Sequence, residues 1–253
     1  MQIRVLGAHG GSTPGHRLTS FLLDGGVCLD AGALTCALTL DEQARIRGLL
    51  VTHSHMDHVA TLPFLVENVF GRVSHPIEVI APGDVVDALS AHLFNDALWP
   101  DFTRLPSHLL PVVTFRPVEP GVPFRVNGLT ATAIPVSHVV PTYGYLVSDG
   151  ASSVLFSGDT GPTEALWRAA HDAKNLKALF VECSFPDTMA EVADVSRHLT
   201  PATLGKELAK MPPGVPVLLY HMKPPSLAAL EEEIAALREP RLRLLTDGET
   251  LTY

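Results

Sequence analysis

Short apolar runs alternate with polar, glycine-rich or proline-rich breaks through the first half of the chain, and that spacing predicts strands joined by tight connections. Residues 2–6 read as a strand, 7–15 as a glycine-rich loop, and 20–23 and 27–30 as two further strands, together a β-meander. Residues 49–52 form a short buried strand ending at His53, and 60–70 are apolar enough for a helix. Pro82-Gly83-Asp84 caps a second helix running to about Phe94, and a polar, proline-containing connection follows to Pro111. Valine, threonine and aromatic residues dominate 112–115, 129–134, 143–147 and 153–157, which predicts strands. The remainder alternates: helix 163–171, strand 176–181, helix 201–211, strand 215–220, helix 227–238 and a closing hairpin near Asp247-Gly248. Strands flanked by helices imply a layered α/β (α+β) arrangement. With no fixed-period repeat, low-complexity tract or long linker, residues 1–253 read as a single domain.

Composition narrows the class. At 46% hydrophobic residues the chain can fill a core, which excludes a disordered or fibrous protein. No uninterrupted apolar stretch reaches the roughly eighteen residues of a membrane span, and residues 1–5 lead straight into a strand without a signal peptide's plan. A cytoplasmic protein without a membrane partner is expected. Cys28, Cys36 and Cys183 are an odd count without C-x-x-C spacing, so they read as packing residues. Eighteen Lys plus Arg against 27 Asp plus Glu give a net charge of −9, and the basic residues are scattered, as in Arg45/Arg47 and Arg241/Arg243. That argues against an extended nucleic-acid surface. Twelve histidines point the other way, toward proton transfer or metal binding.

Three imidazoles and a carboxylate fall within Thr52-His53-Ser54-His55-Met56-Asp57-His58, between a strand and a helix. Burying this many unpaired imidazoles is costly, and such a loop can serve two metal ions. His53, His55 and a distant histidine would suit zinc, while Asp57 and His58 would begin a second site. Distant partners are sought just past later strands. His138 follows 129–134, Asp159 follows 153–157 and His221 follows 215–220.

This series resembles the ligand set of the metallo-β-lactamase fold superfamily, across essentially the whole chain. The resemblance implies an αββα sandwich with the metal centre at one edge. It implies one divalent ion on His53, His55 and His138, a second on Asp57, His58 and His221, Asp159 between them, and a bridging hydroxide. Zinc is the expected metal, with manganese or iron as alternatives, and Asp30 would support the ligands without joining them. Within the superfamily, Val181-Glu182-Cys183-Ser184-Phe185, Arg197-His198-Leu199-Thr200-Pro201 and His221-Met222-Lys223-Pro224 closely resemble the class II 3',5'-cyclic-nucleotide phosphodiesterases. The first two segments also parallel motifs of the tRNA 3'-end ribonucleases. Both branches imply a Glu-assisted histidine facing the metals, here Glu182 and His198. Asp57, Glu182 and His198 are then the catalytic residues, Asp57 doubling as a ligand.

Two cations about 3.5–4 Å apart hold phosphoryl oxygens and lower the pKa of a shared water. A ribose alkoxide is a poor leaving group, so a proton donor on its side accelerates departure, and His198 kept protonated by Glu182 fits. The competing use of His198 is as a helix N-cap, for which Thr200 is the better residue. Lys223 could meet a phosphate or lie solvated. His9 and His16 could approach substrate from the glycine-rich loop, and Tyr143 or Tyr145 could stack a base or pack the core. His75, His92, His108 and His171 lack ligand spacing and read as structural or surface residues.

The expected activity is therefore hydrolysis of a small-molecule phosphodiester, a cyclic AMP or cyclic GMP, to the monophosphate. The alternatives are an RNA nuclease of the tRNA 3'-processing type and a lactone or thioester hydrolase. Lactone hydrolysis leaves Glu182 and His198 without a task. The tRNA enzymes of this fold carry an RNA-gripping arm between the ligands matching His138 and Asp159, an interval that here holds only a strand pair and a turn at Ser148-Asp149-Gly150.

Overall fold

A computed structural model describes residues 1–253. Two seven-stranded sheets lie at its centre. The first runs, edge to edge, through Thr250–Thr252, Gln2–Gly7, Ser20–Leu23, Val27–Leu29, Gly48–Leu50, Ile77–Pro82 and Val113–Val118. The second runs through Leu242–Leu244, Val217–Tyr220, Leu176–Glu182, Ser153–Phe156, Tyr143–Ser148, Leu129–Pro135 and Phe124–Val126. The predicted meander is present, antiparallel from Gln2–Gly7 to Val27–Leu29, after which the sheet continues in parallel.

Period-two alternation explains how the second sheet is covered on both faces. Ala178, Phe180, Leu218 and Tyr220 point into the core shared with the first sheet, whereas Leu179, Val181, Val217 and Leu219 pack beneath the helices Ala165–Asp172, Pro201–Leu208 and Leu227–Ala236. An aromatic group joins the two sheets: Phe21 lies 5.0 Å from Phe156 and 5.4 Å from Tyr220, and Phe156 stacks on Phe180 at 4.3 Å. Helices Leu62–Val69 and Gly83–His92 contribute Leu65, Val66, Val85 and Leu89 to the core on the first sheet's side. The result is the αββα sandwich expected from the sequence.

Several local expectations change. The closing hairpin is not a hairpin: Leu242–Leu244 joins Val217–Tyr220 in the second sheet, while Thr250–Thr252 pairs with Gln2–Gly7 in the first. The Asp247-Gly248 turn carries the chain from one sheet to the other. Ile77–Pro82, where no element was expected and only Pro82 was read, as part of a helix cap, is an inner parallel strand of the first sheet. Cys28 and Cys183 are buried as expected, but Cys36 is exposed on the short helix Leu34–Ala37.

Thr200 is the N-cap of Pro201–Leu208, its side chain accepting from the Thr203 amide and Thr203 reciprocating. His198 is thereby released from any capping duty. Thr200→Ala should lower unfolding stability by about 1 kcal/mol, the usual worth of a cap. Denaturant titration checks this, and a loss within error would remove Thr200 as the cap.

Candidate metal and phosphoester site

Parallel strands end at a common edge, so residues just past their C-termini converge. Asp159 follows Ser153–Phe156, Glu182 ends Leu176–Glu182 and His221 follows Val217–Tyr220. From the first sheet, His53 follows Gly48–Leu50, and the next residues close into a helical turn, Met56–Val59, instead of the expected loop. That turn, with His55 at its N-cap, separates Asp57 and His58 from His53 and His55.

The side chains fall into overlapping groups whose ligand atoms lie within 4.8 Å of one another: His53, His55 and His138; His53, His58 and Asp159; Asp57, His58 and His221; and His138, Asp159 and His198. Asp159 Oδ2 sits 3.1 Å from His221 Nε2, 3.3 Å from His58 Nε2 and 3.7 Å from His53 Nε2. Asp57 Oδ2 is 3.6 Å from His221 Nε2, and His138 Nε2 is 3.3 Å from His55 Nδ1.

Four of the five rings, those of His53, His58, His138 and His221, are held from behind. Asp30, in left-handed backbone conformation at φ 56°, accepts from His58 Nδ1 at 2.7 Å and from Thr52 Oγ1 at 2.9 Å. Since the Thr52 proton goes to Asp30, its oxygen accepts from His53 Nδ1 at 3.0 Å, leaving a lone pair on His53 Nε2. Thr19 repeats the device, donating to the His9 carbonyl and accepting from His221 Nδ1 at 2.8 Å. His138 Nδ1 donates to the Arg197 carbonyl at 3.2 Å. These contacts fix the tautomers that ligands require.

Electrostatics agree with a cation-binding cluster. Burial pushes His53, His55, His138 and His221 toward the neutral, ligating form. Burial also acts on His58, but Asp159 and Asp30 overcome it and raise its pKa well above the ordinary value. Asp159 is wholly buried, which would raise its carboxyl, yet His221 and His58 hold it well below the carboxylate range. His53 Nε2, His58 Nε2 and Asp159 Oδ1 are buried without a hydrogen-bond partner. Orphaned polar atoms of this kind are rare, and bound divalent cations would satisfy all three.

Glu182 and His198 lie against this cluster. His198 Nδ1 donates to Glu182 Oε1 at 2.7 Å, and the carboxylate also accepts from Ser184 Oγ at 2.8 Å and the Thr160 amide at 3.0 Å. Burial opposes protonation of His198, but Glu182 outweighs it and raises its pKa. Lys223 Nζ donates to the Gly10 carbonyl at 2.7 Å, 3.7 Å from Asp57 Oδ2 and 3.5 Å from His221 Nε2, so the ammonium stands at the edge of the cluster.

Other candidates fall elsewhere. His9 lies 3.2 Å from Asp247 and, with His16, lines a cavity of about 350 Å³ that contains none of the clustered residues. Tyr143 donates to Asp84 at 2.8 Å, and Tyr145 is fully buried with its hydroxyl on the Val51 carbonyl. His92, His108 and His171 are exposed, and His75 is half-buried away from the cluster. Sequence reasoning missed Thr19, Thr52, Ser184 and Arg197. Thr52 and Ser184 adjoin candidate residues, a usable signal, whereas Thr19 is 202 positions from His221.

Gly10 leaves room for His221: a Cβ there would lie 2.7 Å from both its Nε2 and its carbonyl oxygen. Gly10→Ala must displace that ring, and metal affinity should fall by about 10–100-fold, as when a ligand's support is disturbed. A competition titration with a chelator measures this; unchanged affinity would mean the loop moves freely.

A family model described as "Beta-lactamase superfamily domain" matches residues 20–222. The chain belongs to the metallo-β-lactamase fold superfamily. Among its relatives, a protein of Yersinia pestis named "Probable 3',5'-cyclic-nucleotide phosphodiesterase" is 29% identical over 207 residues, covering 71% of this chain and 57% of that relative. The match therefore spans little more than half of that relative's length. A "Ribonuclease Z" of Mycobacterium sp. (strain KMS) is 28% identical over 199 residues, covering 71% of this chain and 67% of the other. The crystal structure of unliganded yeast PDE1 superimposes with a TM-score of 0.82 at 19% identity, covering 100% of this chain and 99% of that one. The fold implies divalent metals, and the clustered His and Asp residues are able to hold them. No helix is long and apolar enough to cross a membrane.

Proposed function

We propose that the protein is a dinuclear metal-dependent phosphodiesterase that hydrolyses a 3',5'-cyclic nucleotide to the nucleoside monophosphate. The observation carrying this reading is the buried Glu182–His198 pair set beside the ligand cluster. His53, His55 and His138 would hold one ion, Asp57, His58 and His221 the other, with Asp159 shared; nitrogen-rich donors favour zinc. When bound, the two ions would activate water and neutralise charge on the phosphoryl oxygens. The chain's own residues do the rest. Glu182 orients His198 and keeps Nδ1 protonated, and His198 delivers a proton to the departing ribose oxygen. Ser184 Oγ and the Thr160 amide also donate to the carboxylate, which restrains Glu182 against His198. Lys223, anchored on Gly10, is placed to pair with a non-bridging phosphate oxygen.

The second reading, an RNA nuclease of the tRNA 3'-processing type, is favoured by the Ribonuclease Z relative. Against it stand the −9 charge and the interval between His138 and Asp159, which holds only the strands Tyr143–Ser148 and Ser153–Phe156 and their turn. A polyanion depends on many phosphate contacts, whereas a cyclic mononucleotide carries one charge. A turnover panel on metal-loaded protein with cyclic AMP, cyclic GMP, 2',3'-cyclic nucleotides, precursor tRNA and a lactone tests the choice. Efficient tRNA trimming without turnover of a cyclic nucleotide would promote the second reading.

A further inference from the structure

We infer that the cavity walled by His198 receives the nucleobase of the substrate, an inference that rests on the phosphodiesterase reading above. A general acid must touch the oxygen that departs, and in a cyclic nucleotide that oxygen belongs to the ribose. The ribose and its base therefore extend from His198's side of the reacting phosphorus. A cavity of about 470 Å³ adjoins His198, bounded also by Ser137, Ala190, Asp194, Arg197 and Thr203. Small-molecule sites are commonly about 300–1,000 Å³, so the space suits one base with part of its sugar.

The lining specifies what fits. Ala190 and Ala193 give a small-residue apolar strip along the helix Ala190–Ser196, suited to the face of a flat ring. Asp194 forms no ion pair, so its carboxylate is available to accept from a base N–H. Arg197 Nη1 donates to the His138 carbonyl at 2.8 Å, which ties the guanidinium to the cavity wall. The unpaired carboxylate suits a neutral, N–H-bearing heteroaromatic ring.

Phe185 lies outside the lining of this cavity. His198 meets its ring edge-to-face at 5.5 Å, and the Lys223 ammonium lies 5.9 Å over the ring centre. The cavity beside His9 and His16 includes neither His198 nor any clustered ligand.

The test uses Ala190→Trp, at an exposed position where a large side chain fills the cavity without entering the core. Asp194→Ala, also at an exposed position, is the second variant, and both are checked for unchanged Tm. Two readouts are taken: kcat and KM on a cyclic nucleotide against methyl 4-nitrophenyl phosphate, and fluorescence titration with 2-aminopurine riboside, which has no phosphate. Ala190→Trp should lower kcat/KM for the cyclic nucleotide about ten-fold more than for the small diester, chiefly through KM, and weaken the riboside to a similar extent. Equal losses on both substrates with unchanged riboside affinity in both variants would overturn the cavity assignment and leave the phosphodiesterase reading standing. Cleavage of the small diester by wild type without turnover of any cyclic nucleotide would refute the cyclic-nucleotide reading, and the riboside titration would then decide the cavity by itself.

Discussion

Replacing His198 by alanine should slow hydrolysis of a cyclic nucleotide by about 10²–10⁴-fold, the usual contribution of a positioned general acid. The same variant should lose far less on an aryl phosphodiester, because a phenolate leaves with little protonation. Metal content separates this role from coordination, since His198 also comes within reach of His138 and Asp159. If it acts as the acid, His198→Ala retains its metals; if it is a ligand, the metals go and both substrates suffer alike. Acidity supplies a further mark. The acid works while protonated, so the rate on the cyclic substrate falls as pH rises through the elevated His198 pKa. Glu182 is what elevates it against burial, so Glu182→Gln should shift that fall to lower pH. An unshifted profile would remove Glu182 from the mechanism.

Asp159→Asn should empty both halves of the centre while keeping the fold. The carboxylate is the one group within 4 Å of His53, His58 and His221 together, and asparagine preserves its volume but not its charge. Elemental analysis of wild type purified without chelator should approach two metals per chain, and the variant should fall well below one. Wild type that binds at most one ion under zinc-replete conditions would sink the two-ion assignment. Loss at a single site in the variant would mean that Asp159 serves one ion alone.

The candidate ligand series was legible because its chemistry is local: His53 to His58 lie in one segment, and His138, Asp159 and His221 each follow a strand with a recognisable apolar run. The devices that hold those residues were not. Thr19 and His221 meet only because the first sheet's second strand faces the end of Val217–Tyr220, a relation that belongs to tertiary packing. Ile77–Pro82 was missed because its proline and glycine are strong punctuation for a helix start, and the parallel neighbours that define the strand lie far away in sequence. The Asp247-Gly248 turn misled for a related reason. Turn chemistry specifies a reversal between flanking strands but not which sheet each strand joins.

That turn also governs the order in which the molecule can be assembled. Thr250–Thr252 pairs with Gln2–Arg4, and Asp247 accepts the amides of Ala8 and Arg17, so residues 2–17 complete their contacts only with residues 247–252. During synthesis, Gln2–Gly7 can join Ser20–Leu23 early, but its other side stays open until Thr250–Thr252 is made. An unpaired strand side is a template for intermolecular pairing, and pairings this distant in sequence form slowly. The nascent chain is therefore open to aggregation for as long as Gln2–Gly7 awaits Thr250–Thr252.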